Sequence, residues 1–203
     1  MSINSSVSGF LEQVQQGVRP NMFQVDITFP GDGTQTDKAL LSQFMCKSAA
    51  LPASNVGVIE VPFRGRTVKI AGDRTFDNWS ATFINDKDMK IRSYFEEWMK
   101  DINTHQGNTA EVVKPTDYGR DITIRQKEKA AATDANGKDI RAYKLWYAFP
   151  TSVSAIDLAY DSNDQVEEFT VEWQYSYFTA AKSKGGASAP ATTRPGVADG
   201  IVK

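Results

Sequence analysis

The order of apolar and polar positions along the chain predicts a mainly β protein with one long helix. Strict alternation, typical of half-buried strands, covers residues 22–29 and 76–84. From residue 86 the apolar spacing changes to three and four, which predicts a helix over 86–102 with Asn85 or Asp86 as N-cap. Its apolar face consists of Met89, Ile91, Tyr94, Phe95, Trp98, Met99 and Ile102. We expect it to be the only substantial helix.

The remaining alternating segments predict antiparallel hairpins. Residues 121–128 and 140–149 pair through a tip at 130–138 that contains the turn-forming Asn136-Gly137, and Pro150 is expected to end the second strand. Residues 155–160 and 166–178 form the last hairpin, turned at 161–164. Residues 40–47 are also predicted to be a strand. The expected fold is an antiparallel β-sandwich or partly closed barrel with one flanking α-helix.

Composition divides the chain into three parts. Residues 1–18 are an N-terminal arm with a short helix over 8–16. Residues 19–179 carry the alternating strands and form the one folded domain. Residues 180–203 are rich in Gly, Ala, Ser, Thr and Pro with scattered lysines, which is typical of a flexible extension.

One β-rich arm, residues 53–72, lies apart from the alternating strands. Residues 56–63 and 66–70 are both β-prone, with Arg64-Gly65-Arg66 as a hairpin tip, and a turn is expected at Gly72-Asp73. The arm is apolar enough to require burial, so we expect it to bury itself on a partner. Its candidate contact residues are Val56, Val58, Ile59, Val61, Phe63, Arg64, Arg66, Val68 and Ile70.

Charge and residue counts exclude several kinds of function. A net charge of −2 argues against a basic protein that stably binds nucleic acid. A single histidine, His105, and a single cysteine, Cys46, leave too few groups for a zinc shell or a His-dependent nucleophile. We expect no enzymatic activity, no metal and no cofactor. The sequence shows no secretion leader and no apolar run long enough to anchor it in a membrane, so we expect a soluble protein made in a cytoplasm.

Four short segments in register carry a resemblance to a known family. They are Ala71-Gly72-Asp73-Arg74-Thr75-Phe76-Asp77-Asn78-Trp79, Arg19-Pro20-Asn21-Met22-Phe23-Gln24-Val25, Cys46-Lys47-Ser48-Ala49-Ala50-Leu51-Pro52, and Tyr160-Asp161-Ser162-Asn163-Asp164-Gln165-Val166. Together they resemble the tail tube proteins of contractile-tailed, T-even-type bacteriophages, part of the inner-tube family of contractile injection systems.

The resemblance implies a structural subunit of the virion tail. Its hexameric rings would stack into a hollow tube that conducts double-stranded DNA during genome ejection, with only transient, non-specific DNA contact. Implied partners are further copies of the chain, the tail sheath protein, the baseplate tube-initiating protein, the tail-terminator protein and a tape measure protein in the lumen. Assembly would take place in the bacterial host cytoplasm. The arm at 53–72 corresponds in position to the family's inter-ring stacking loop.

Two further sets of residues are candidates on this basis. Gly72, Asp73 and Arg74 belong to the family motif. Asp73 with Arg74 is hypothesised to be a pair that fixes a turn or joins subunits, and the alternative is a local solvated pair worth under about 1 kcal/mol. The polar face of the last long strand, Thr170, Glu172, Gln174 and Ser176, is the candidate lining of the lumen. A mildly acidic or polar lumen would let DNA slide, because it neutralises no phosphates.

Two alternatives remain open at this point. The chain could be the inner tube of a secretion or bacteriocin-type contractile injection system. It could also be a monomeric β-barrel that binds a small apolar ligand between the aromatic faces of its last two hairpins.

Overall fold

The computed structural model of the chain describes residues 7, 10–11, 17–31, 35–128, 139–163 and 165–182. Its helices are α1 Gln35–Met45, α2 Lys90–Ile102 and α3 Pro115–Tyr118. Its strands are β1 Phe23–Ile27, β2 Cys46–Ala49, β3 Ser54–Phe63, β4 Arg66–Phe76, β5 Trp79–Ile84, β6 Arg120–Lys127, β7 Asp139–Val153, β8 Glu168–Gln174 and β9 Tyr177–Lys182. The predicted hairpin tip at 130–138 and the extension from 183 onward lie outside the described residues. So does most of the predicted helix at 8–16, although the backbone at Phe10 and Leu11 is helical.

Seven strands form two antiparallel layers that share β7. Sheet A contains β1, β6, the first half of β7, and β9, whereas sheet B contains the second half of β7, β8, β5 and β2. The order β1-β6-β7-β8-β5-β2 leaves the path open between β1 and β2. The predicted antiparallel sandwich is therefore confirmed, and it does not close into a barrel.

The two layers meet at a corner in β7. Tyr147 has a φ of 55° there, and the register of β7 against β6 shifts nearby, so the strand turns out of sheet A and continues into sheet B. The expectation that Pro150 ends this strand is wrong. Pro150 lies opposite Trp173 of β8, at a register shift where the ladder is already irregular, and β7 runs on to Val153.

Gly119 lies against this corner and leaves no room for a side chain. A Cβ added at Gly119 would lie 2.6 Å from the Pro115 carbonyl oxygen and 3.1 Å from the Tyr147 Cα. Both are backbone atoms, so the contact is relieved only by moving α3 or the corner.

We therefore expect Gly119→Ala to lower the free energy of unfolding by about 1–3 kcal/mol, the usual cost of overpacking. The measurement is the denaturant midpoint of unfolding. Gly57→Ala is the matched control, because its added Cβ would come no closer than 3.4 Å to the Asp73 carbonyl oxygen. Equal midpoints for both variants and the parent would contradict a packed corner.

The core lies between the two sheets and is rich in aromatic rings. Ile91, Phe95 and Trp98 of α2 are fully buried. Phe95 packs against Phe83 of sheet B, with ring centroids 5.2 Å apart, and Trp98 packs against Phe29, which follows β1. Helix α2 starts at Lys90 rather than at residue 86, and its N-cap position, Met89, provides no side-chain cap. Asp86 still contributes at this end, because its Oδ1 accepts a hydrogen bond from the Ile91 N–H at 3.1 Å.

Helix α1 shows that two predictions are wrong. Residues 40–45 are helix rather than strand, and α2 is not the only substantial helix. Leu40, Leu41, Phe44 and Met45 also fit helical spacing, and this short apolar run does not by itself distinguish the two periods. Helix α1 contacts β1, β5 and α2, so it occupies the open side of the sandwich. Leu41 packs on the core from there.

The predicted last hairpin is also wrong. Residues 155–160 form no strand, and β8 pairs instead with β5 and with the second half of β7. The alternation of Phe169, Val171, Trp173 and Tyr175 is confirmed as buried. The long strand predicted to 178 breaks at 175–176, where the chain passes from sheet B to sheet A and continues as β9.

Candidate assembly surfaces

The β3–β4 hairpin extends from the domain as a separate two-stranded sheet. Its pairing runs from Ser54↔Phe76 to Phe63↔Arg66. At the tip, Arg64 and Gly65 have φ angles of 46° and 78°, the positive values that a tight two-residue hairpin turn requires. The predicted hairpin and its tip are confirmed.

The hairpin exposes apolar side chains that the domain does not cover. Every residue of β3 is exposed, and Phe63 retains 60% of its accessible surface. The other exposed apolar residues of the hairpin are Val56, Val58, Ile59, Val61, Val68 and Ile70. A two-stranded hairpin with no covering layer is marginally stable in water, so this surface is suited to burial against another molecule.

The family motif at Gly72 lies within β4, and the predicted turn at Gly72-Asp73 is wrong. A Cβ added at Gly72 would lie 3.2 Å from the Gly57 carbonyl oxygen, so glycine here allows the two strands to approach at a bulge. Asp73 and Arg74 are consecutive residues of β4 beside this bulge. Among the described residues neither forms a salt bridge. A role for them between subunits stays a prediction.

The outer face of sheet B is polar. Thr82 and Thr170 share a hydrogen bond of 3.1 Å across β5 and β8, and Lys47 Nζ lies 2.6 Å from Glu168 Oε1. Glu172 and Gln174 are exposed on the same face of β8. Ser176, the fourth predicted residue, lies in the link between β8 and β9. The sequence thus placed three of the four residues on one face.

His105 and Cys46 are the two residues considered for chemistry. His105 is exposed in a loop after α2. Cys46 is half-buried, and burial raises the pKa of its thiol to about 12, so it stays protonated at neutral pH. Among the described residues no three His, Cys, Asp or Glu side chains are placed to hold a metal ion. No helix in the described part of the chain is long and apolar enough to cross a membrane.

Comparison with known proteins identifies the family of the chain that carries these surfaces. The family described as phage tail tube protein matches residues 18–181. The chain belongs to the phage tail tube protein family. Its tail tube relatives include gp19 of Enterobacteria phage T4, 37% identical over 160 residues, which are 79% of this chain and 90% of gp19. The tail tube protein of Serratia phage KSP90 is 26% identical over 82% of this chain and 90% of its own length.

A solved structure supports the fold of this tail tube family member. The matching chain comes from the sheath-tube complex of an extracellular contractile injection system (PVC) in the extended state. The TM-score is 0.58 at 17% identity, covering 88% of this chain and 99% of that one. At this identity the likeness concerns the fold alone. The resemblance inferred from the four sequence segments is confirmed by the family match and by the phage relatives.

Proposed function

We propose that the protein is the structural subunit of the inner tube of a contractile phage tail. Its rings, hexameric as the family resemblance implies, stack into a hollow conduit for ejection of double-stranded DNA. The observation that carries the proposal is the β3–β4 hairpin, which extends from the tail tube fold and exposes apolar side chains to solvent. The tail tube relatives favour a phage tail over a secretion or bacteriocin-type system.

Stacking is assigned to the hairpin. Its candidate residues on β3 and β4, together with Arg64 and Arg66 at the tip, would be buried against a copy in the next ring. Full burial of a large apolar side chain contributes about 1.5–3 kcal/mol, and these side chains have about half of their surface left to bury. A ring repeats this contact once per subunit, so even a weak hairpin contact yields a stable stack.

Ring formation is assigned to unpaired strand edges. Within the described part of the chain, β2 pairs only with β5, and β9 pairs only with β7. An unpaired edge exposes N–H and C=O groups that readily pair with another chain. Pairing between neighbouring subunits would satisfy these groups and join their sheets around the ring.

The lumen is assigned to the outer face of sheet B. The Lys47–Glu168 salt bridge compensates two charges on this face, and Glu172 on the same face is exposed. Around a ring, repeated Glu172 carboxylates would repel phosphates. The DNA would then pass without the counterion release that holds it on basic surfaces.

The proposed partners follow from the family. They are the sheath protein, the baseplate tube-initiating protein, the tail-terminator protein and a tape measure protein in the lumen, with DNA present transiently. Matching chains with TM-scores of 0.55 and 0.56 come from a baseplate of the anti-feeding prophage and a sheath/tube terminator of PVC. The mature protein would reside in the virion tail after assembly in the host cytoplasm. A structural role of this kind requires no catalysis.

Negative-stain electron microscopy of concentrated protein tests the proposal directly. We expect rings with a central channel, and stacks of them as concentration rises. A particle that remains monomeric in sedimentation velocity at the same concentrations would contradict it. Such a monomer, especially with a bound apolar molecule, would favour the ligand-binding barrel instead.

A charge reversal tests the assignment of the lumen. We expect Glu172→Lys to leave tube assembly intact and to slow DNA ejection several-fold, most strongly at low salt, because the new lysines attract phosphates. Glu172→Gln should have a smaller effect. The measurement is real-time DNA release from particles that carry the variant.

Glu97→Lys is the matched control for this test. It makes the same charge change at an exposed position of α2. Unchanged release kinetics for Glu172→Lys in intact tubes would place the lumen on another face.

A further inference from the structure

The connection from β7 to β8 carries one sign of charge. Residues 155–167, here called the acidic loop, contain Asp157, Asp161, Asp164 and Glu167 and no lysine, arginine or histidine. Asp157 and Glu167 of the loop, together with Glu168 of β8, are the acidic residues that line an open cavity of about 960 Å³. Leu158, Tyr160 and Val166 of the loop are exposed, Leu158 at 80%. Exposed apolar residues around an acidic cavity suit a ligand that is both apolar and basic.

The base of the acidic loop is fixed to the domain. The Asn85 backbone N–H donates to the Glu167 carbonyl oxygen at 2.9 Å, and the Asn85 side chain donates to Glu167 Oε2 at 3.1 Å. On the other side, Arg92 Nη1 donates to the Ser154 carbonyl oxygen at 3.2 Å. Ile156 packs against the core. These anchors hold the cavity in a defined position at the end of sheet B.

The hairpin and the acidic loop leave sheet B at opposite ends. The hairpin returns into β5 at Trp79, which lies opposite Trp173, and the acidic loop enters β8 beside the Ile84↔Glu168 pair. These two pairs are five residue steps apart, or about 17 Å along the strands. In a head-to-tail stack, opposite ends of neighbouring subunits face each other.

The hairpin has the complementary chemistry. Arg64, Arg66 and Lys69 lie at or near its tip, and Glu60 is the acidic residue beside them, 3.7 Å from Lys69 Nζ. Phe63 and Val68 are exposed alongside these cations. The tip is therefore apolar and basic, which complements a loop that is acidic and exposes apolar residues of its own.

We propose that the acidic loop of one copy is the receptor for the hairpin tip of the copy in the next ring. The inference rests on the proposed tube function and names the contact that joins the rings. The cavity is of a size that accommodates a few tip side chains rather than the whole hairpin. Basic tip residues would pair with the loop carboxylates while Phe63 is covered by the loop's exposed apolar residues.

Charge reversal on each side tests this contact. Asp157→Lys with Asp161→Lys, and separately Arg64→Glu with Arg66→Glu, should leave rings intact and shorten tubes at least tenfold. The chain that carries all four changes should recover much of the parental tube length, because the charges are again complementary. Tube lengths are measured by electron microscopy, with thermal unfolding as a check on folding.

The control reverses two charges elsewhere. Glu97→Lys with Glu111→Lys changes two exposed residues outside the hairpin and the acidic loop and should leave tubes unaffected. Parental tube lengths in the loop variant, or no recovery in the fourfold variant, would overturn the receptor assignment. Both outcomes leave the tube function standing, whereas failure of the parent chain to form tubes would overturn that function as well.

A cross-link tests proximity without changing charge. In a Cys46→Ser background, Phe63→Cys with Leu158→Cys should give, on mild oxidation of tubes, a ladder of covalent multimers that reducing agent removes. Each single-cysteine chain is the control and should give no ladder beyond dimers. Absence of the ladder in well-formed tubes would overturn the proposal.

Discussion

A chain in which Val61, Phe63 and Val68 are all replaced by serine is expected to form rings and to lose tubes. Each of these side chains is exposed in the isolated subunit, so the fold does not depend on them. Each is about half exposed in the subunit, so each loses about half of the 1.5–3 kcal/mol of a full burial at the proposed inter-ring contact. Because the loss is repeated at every subunit of a ring, the stacking equilibrium should fall by many orders of magnitude.

Sedimentation velocity combined with electron microscopy measures this effect as the ratio of single rings to stacks. Val113→Ser is the matched control, since Val113 is 78% exposed in a loop far from the hairpin in sequence. The triple variant should retain the thermal midpoint of the isolated subunit. Stacks of parental length in the triple variant would show that the rings are joined by another surface.

The second large effect is expected in the core, at Trp98. Its ring is fully buried against Phe29, with centroids 5.9 Å apart, and its Nε1 donates to the Tyr118 carbonyl oxygen at 2.9 Å. Trp98→Ala should lower the free energy of unfolding by about 3–5 kcal/mol through the cavity it creates. The unpaired carbonyl adds about 1–3 kcal/mol more. This approaches the whole stability of a typical domain, about 5–15 kcal/mol.

Chemical denaturation in the non-stacking triple-serine background measures this loss at low concentration, so that inter-ring contacts do not add to the apparent stability. Trp98→Phe should fall between the parent and Trp98→Ala, because it keeps most of the packing and loses the hydrogen bond. Glu97→Ala, one residue away and exposed, should change stability by no more than about 0.5 kcal/mol. Similar unfolding midpoints for all three variants would contradict a large contribution of Trp98 to the stability of the core.

Of the two surfaces proposed to join rings, the sequence predicted one. The hairpin was predictable because its apolar strands and its Arg-Gly-Arg tip lie next to each other in the chain. The sequence pattern predicts a hairpin turn with a preceding strand for the acidic loop, whereas residues 155–160 form no strand in the structure. One signal was available, namely acidic residues over 155–168 with no basic residue among them. That the loop lies opposite the hairpin on sheet B follows only from the pairing of β5 with β8.

The sequence by itself determined the elements whose signal is local. Period-two alternation predicted β1, β5, β6 and β8, and the three-and-four spacing predicted the buried face of α2, because side-chain direction repeats with the backbone. The tertiary structure decided the rest. Whether residues 40–45 are helix, whether β7 passes Pro150, and where β8 ends and β9 begins depend on which neighbour each segment meets. A strand that turns from one sheet into the other keeps its local pattern while it changes partners, so the pattern alone does not show where it turns.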